Sequence, residues 1–109
     1  MTGRLAAGLL VSALIRRVEA AGGSAMVLAR GDATAGSLLI QLAERGVAGQ
    51  LLERTLNSRG SYAWTPVGPE DPAARGDYIA RRRRNDPDLW VIELDAAHAA
   101  AIVNEVAAG

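Results

Sequence analysis

The sequence predicts a small α+β domain: a single-layer antiparallel sheet of about four or five strands packed with about three helices, in the order α-β-β-β-(β)-α-β-α, with residues 1–109 as one domain. Three observations carry this expectation. Leu14, Ile15 and Val18 form an apolar stripe at helical spacing opposite Arg16, Arg17 and Glu19. Leu38, Ile40 and Leu42 alternate with Leu39, Gln41 and Ala43, the period of a half-buried strand. Trp90, Ile92 and Leu94 alternate with Leu89, Val91 and Glu93 in the same way, just after the turn signal Asp86-Pro87.

Each element can be argued in order. Ser12 suits the N-cap of the first helix, and Gly22-Gly23 stops it. The apolar run Leu5 to Val11 is short enough to be either a strand or a backward extension of that helix. Ala25 to Arg30 reads as a strand, followed by the turn-forming "GDATAG". A strand over Leu38 to Ala43 and another over Gly49 to Leu56 flank the turn signal Arg45-Gly46, so three successive strands predict an antiparallel meander. In the last of these, Glu53 and Thr55 share one face, with Leu52, Arg54 and Leu56 on the other. Tyr62 to Thr65 suits a short edge strand, confined there by Pro66 and Pro69. Asp71 followed by Pro72 marks a helix start, and the helix should run to about Arg84, stopping before Pro87. Asp95 is placed to cap a final Ala-rich helix, Ala96 to about Ala107.

Composition excludes more than it assigns. The formal net charge is zero, so no long-range field draws in nucleic acid or membrane, and any electrostatic function must be local. All twelve basic residues are arginine, a bias of the whole chain that makes the choice of arginine at any one site uninformative. There is no cysteine, hence no disulfide, thiolate nucleophile or thiolate-bound metal. No apolar stretch reaches the ~18 residues of a membrane-spanning helix. The leader-like beginning is broken by Arg16-Arg17 and reads as part of the fold. No membrane partner and a cytoplasmic location are therefore expected.

The stretches "LLVSALIRRVEAAGG", "GDATAGSLLIQL" and "RRRRNDPDLWVIELD" together resemble a family of short bacterial proteins catalogued only as a domain of unknown function. The resemblance covers about residues 9–95 and is weakest between Gly49 and Ala73. It implies an intact small domain whose body includes the first helix. It supplies no catalytic residue and no cofactor.

The arginine run Arg81 to Arg84 is the most conspicuous chemical feature. Successive helical positions turn by about 100°, so four of them form a collar and not one basic face. Tyr78 and Ile79 mark the apolar side, which the stem of Arg82 should cover; Asp77 and Asp86 lie four residues from Arg81 and Arg82, at ion-pair spacing. With Asp88 these acids leave a local excess of one positive charge. Arg81, Arg83 and Arg84, with Arg16 and Arg17, are the candidate anion-binding residues. Tyr62 and Trp64, in a proline-flanked segment, are the candidates for contact with a protein partner, whereas Trp90 should be core.

Other readings fail on chemistry. Asp88 and Glu93 resemble the acidic part of a restriction-type nuclease, but they fall on opposite strand faces, and Asp95 stands where that motif has a lysine, of which the chain has none. Gly31 to Gly36 has the glycine spacing of a phosphate loop without the Lys-Ser/Thr that touches phosphate and metal. His98 is the single histidine and reads as a surface residue. No nucleophile, base and oxyanion donor can be named together, so no catalytic residue, metal site or cofactor is expected. The favoured function is a non-catalytic protein-interaction or self-associating module, a homo-oligomer or a docked partner using a sheet edge. The alternative is binding of an anion or nucleic acid through the arginines at the helix end.

Overall fold

The computed structural model describes residues 5–106 and 108. Helix α1 (Ala7–Ala20) is followed by strands β1 (Ser24–Ala29), β2 (Leu38–Glu44), β3 (Val47–Leu56) and β4 (Tyr62–Val67). A 3-10 turn (Pro72–Ala74) leads into α2 (Arg75–Asn85), and β5 (Trp90–Asp95) and α3 (Ala99–Glu105) complete the chain. The class is α+β, with the elements in the order the sequence predicts, including the fourth strand at Tyr62.

The sheet order is β1-β5-β2-β3-β4. β2 and β5 are parallel and the other neighbours antiparallel, so the sheet is mixed where an all-antiparallel one was expected. The meander is displaced by one strand: it comprises β2, β3 and β4, while β1 pairs with β5. The reason is hydrophobic. β2 and β5 carry apolar residues on both faces, and strands buried on both sides belong at the centre, side by side. The loop from Arg30 to Ser37 must then bridge two strand spacings, about 10 Å, to leave room for β5.

That loop explains "GDATAG". It crosses the entry to β5 so closely that a Cβ on Gly31 or Gly36 would lie 2.2 or 2.3 Å from the Asp88 carbonyl oxygen. The Asp32 amide donates to the same carbonyl at 3.0 Å, while the Asp32 carboxylate accepts from the amides of Thr34 and Ala35 at 3.1 and 2.7 Å. The glycines serve close backbone packing.

Two hydrophobic layers hold the helices. On one face, Leu10, Val11, Leu14 and Val18 of α1 and Ile102 and Val103 of α3 pack on Leu38, Ile40, Leu42, Trp90, Ile92 and Leu94. On the other, Tyr78 and Ile79 of α2 cover Leu39, Leu51, Leu89 and Val91. The alternation read from sequence places Leu38, Ile40, Leu42, Trp90, Ile92 and Leu94 in one layer and Leu39, Leu89 and Val91 in the other, although β2 is buried on both faces and not half-buried as expected.

The helix boundaries need three corrections. α1 starts at Ala7, so the run before Ser12 is helix; Ser12 is an exposed interior residue. In place of a side-chain cap, the Gly8 amide donates to Ala33 O in the "GDATAG" loop at 2.8 Å. Asp71 does cap its turn, accepting from Ala73 N at 3.0 Å, but the first residues are 3-10 and the α-helix proper begins at Arg75. Asp95 does not cap the last helix. Its carboxylate instead accepts the amides of Arg45 and Gly46, both at 2.8 Å, in the β2–β3 turn. Ala96 N–H bonds to Ala43 O, and α3 begins after His98, which adopts φ 57°. The helix ends at Glu105, where Val106 is already extended, short of the expected run to about Ala107; residues 107 and 109, like residues 1–4 of the leader-like segment, lie outside the described residues.

Candidate anion-binding cleft

The collar geometry predicted for Arg81 to Arg84 holds, and the fold uses each direction differently. Arg82 turns onto the sheet. Its guanidinium donates to both oxygens of Glu53 on β3, at 2.6 and 2.8 Å, and lies 3.2 Å from the Tyr78 hydroxyl. The Glu53 hydrogen bonds, followed by those of Tyr78, hold Arg82 above the ordinary arginine pKa despite an opposing desolvation cost. Arg82 thus pairs with Glu53; Asp86, four residues away, uses its carboxylate on the Asp88 amide at 3.1 Å. Asp77 forms no ion pair with Arg81 among the described residues.

Arg83 and Arg84 point elsewhere. With Arg30 they line a cleft of about 440 Å³ between the end of β1 and the C-terminal end of α2. Ala29, Ala80, Pro87 and Leu89 provide its apolar walls, and Asp86 is the one acid in its lining. Three arginines and one aspartate among its lining residues leave a formal excess of two positive charges. The negative end of α2 offsets roughly half a charge, which does not reverse the sign. Among the described residues no carboxylate forms an ion pair with Arg30, Arg83 or Arg84.

Arg30 was not among the sequence candidates. It reaches the cleft because β1 runs antiparallel to β5, so the end of β1 meets the start of β5, where α2 also ends. Its guanidinium lies over the Trp90 ring, 5.5 Å from the centroid, and Trp90 Nε1–H is anchored to Asp32 O at 2.7 Å. Trp90 belongs to the α1/α3 layer, so this stacking holds the Arg30 guanidinium toward that side, while the residue as a whole lines the cleft beside α2.

The remaining candidates do not join this site. Arg81 is exposed but outside the cleft lining. Arg16 and Arg17 lie on α1, across the sheet from α2, and Arg17 pairs with Glu105 of α3. Tyr62 and Trp64 are only half exposed and are used within the fold. Trp64 packs against the α1/α3 core and donates to Val106 O at 2.9 Å, which corrects the expectation of an exposed contact residue. Tyr62 stacks under the Arg54 guanidinium, 5.2 Å from its centroid. Among the acids compared with a nuclease, Asp88 precedes the strand and is exposed, Asp95 holds a turn, and Glu93 sits on β5. No group of three His, Asp or Glu side chains is placed to hold a metal among the described residues. No helix among them is long and apolar enough to cross a membrane.

A family model for a protein of unknown function, DUF1491, matches residues 5–104. The chain belongs to the DUF1491 family. Solved structures agree with this assignment. A crystal structure of a DUF1491 protein from Caulobacter crescentus superposes with a TM-score of 0.79 at 32% identity, covering 91% of this chain and 94% of that one. An NMR structure of a DUF1491 protein from the same organism gives 0.75 at 34% identity, covering 90% and 91%. The solution structure of protein Atu0922 from A. tumefaciens gives 0.72 at 31% identity, covering 92% of each chain. No curated protein matches the chain. The match extends the sequence resemblance through α3, so the last helix is part of the DUF1491 domain.

Proposed function

We propose that this DUF1491 protein is a non-catalytic binding module that holds an anionic group of a partner, a carboxylate or a phosphate, in the cleft formed by Arg30, Arg83 and Arg84. The observation that carries this reading is that three arginines, Arg30 after β1 and Arg83 and Arg84 on α2, line one concave surface with a single acid. Planar guanidinium forks match carboxylate and phosphate oxygens two at a time. The lining has no serine, threonine or histidine, which favours binding over bond cleavage. A duplex nucleic acid is a poorer fit, because Arg16 and Arg17 face away from the cleft and cannot extend a basic track. The reading places the protein in the cytoplasm, consistent with a first helix whose buried side chains belong to the core.

The test is titration of the full chain with inorganic phosphate and with acetate, followed through arginine side-chain NMR signals. Saturable shifts at Arg30, Arg83 and Arg84 are expected, lost in an Arg83→Gln/Arg84→Gln variant and retained in Arg81→Gln. Equal responses in the two variants, or none in the wild type, would refute the reading.

A further inference from the structure

The cleft continues into an open sheet edge. Among the described residues β1 is the terminal strand and pairs with β5 alone, and its last residue, Ala29, lines the cleft beside Arg30. Edge strands in natural proteins are guarded by charges or proline, because their unpaired backbone groups recruit further strands. The opposite edge, β4, contains Pro66. β1 has neither guard: its sequence is Ser-Ala-Met-Val-Leu-Ala, and Met26, Val27 and Leu28 remain 58%, 42% and 42% exposed. Its register shift between Val27 and Ala29 interrupts pairing only at the cleft end.

From this juxtaposition, and resting on the anion-binding reading above, we infer that the partner is an extended acidic peptide. It adds as a strand to the free edge of β1, lays apolar side chains on Met26 and Leu28, and places a carboxylate side chain among Arg30, Arg83 and Arg84. Backbone pairing supplies affinity and the arginines supply register, since an uncharged strand alone would tolerate slippage. Charge complementarity decides for a peptide over a second copy: β1 of another molecule would bring its own Arg30 and no acid within the strand. Antiparallel addition is the more stable pairing, so the acidic residues precede the apolar ones in the peptide.

The experiment uses the full chain, isotope-labelled, and a capped synthetic peptide with two acidic residues followed by alternating valine and threonine. Binding should protect amides between Ser24 and Ala29 from exchange and shift the arginine signals of the cleft. Arg83→Gln/Arg84→Gln should weaken the peptide by roughly tenfold or more. Val27→Lys, which adds a guarding charge and keeps the backbone, should weaken it similarly while leaving inorganic phosphate binding intact. If phosphate binds but the peptide leaves the β1 amides unprotected, the strand-addition inference is wrong and the anion site stands. If neither binds, both readings fall. A dimer by light scattering that Val27→Lys dissociates would make a second copy the occupant and overturn the peptide.

Discussion

Arg82 grips Glu53 with two parallel hydrogen bonds of 2.6 and 2.8 Å, joining the last turn of α2 to the sheet across 29 positions of sequence. This pair, 26% and 15% exposed, is sheltered enough to count and open enough to be screened in part. Arg82→Met should cost about 1–2 kcal/mol, a drop of roughly 5–10 °C in melting temperature. A double-mutant cycle with Glu53→Gln should return a coupling of about 1 kcal/mol. Because the folded-state pKa of Arg82 is raised, its stabilisation is fully present below the ordinary arginine value and is lost only as pH rises through the higher folded one. Urea midpoints of wild type and Arg82→Met should therefore keep a constant separation from about pH 6 to 9 as far as Arg82 is concerned.

Asp95 links β5 to the β2–β3 turn, where Arg45 and Gly46 both adopt positive φ, 53° and 80°. Such a turn is disfavoured for arginine and gains from a carboxylate that takes both amides. Asp95→Ala should destabilise by about 1–2 kcal/mol, with faster hydrogen exchange at the amides of Arg45 and Gly46. Asp95→Asn, which keeps one acceptor oxygen, should fall between.

Gly31 is a steric requirement. An added Cβ would sit 2.2 Å from Asp88 O and 2.7 Å from Leu89 C and Trp90 Cδ1, two of them backbone atoms that cannot yield alone. Gly31→Ala should cost about 3 kcal/mol in chemical denaturation. Gly49→Ala, whose Cβ would meet only Leu42 O at 3.6 Å, should be neutral or stabilising by up to about 1 kcal/mol.

Arg54 is buried on the opposite face of β3 from Glu53, donating to Leu5 O at 3.0 Å, with Ala108 O at 3.4 Å and the Tyr62 ring alongside. It draws the two ends of the described chain together. Arg54→Ala should cost about 1–3 kcal/mol and accelerate exchange at the amides of residues 5–7. Both bonds come from one nitrogen, Nη1, so Arg54→Lys should recover part of the loss through its ammonium but not the stacking of a planar guanidinium on Tyr62.

Salt provides a separate check on the arginines. If the full chain contacts duplex DNA through the three cleft guanidiniums, log affinity should fall against log salt with a slope near roughly −3. The divergence of Arg16 and Arg17 from the cleft predicts no measurable duplex binding at physiological salt.

Much of the fold was readable because it rests on short-range periodicity. The stripe Leu14, Ile15, Val18 and the alternation in Leu38–Ala43 and Leu89–Leu94 need only the geometry of one helix or one strand, and the leucines, isoleucines and valines of both strands lie in the layers their positions imply. Asp71-Pro72 marked its turn for the same local reason. The candidate site was half readable: Arg83 and Arg84 stood out as part of a run, and helical geometry already showed that the run could not act as one face. Arg30 carried no signal, because nothing near it in the chain announces that β5 will arrive beside β1.

The amino-acid pattern alone determined most segments as helix or strand, though not Leu5 to Val11, and it determined which faces are apolar and that the net charge is zero. Tertiary structure decided the rest: the parallel pairing of β2 and β5, the turn that claims Asp95, the acid that claims Arg82, and the arginines left to line one cleft. Periodicity is a property of one element, but a partner is chosen by where the whole chain buries its apolar surface. Asp95 and Arg45 lie 50 positions apart, and only the packed sheet brings them together.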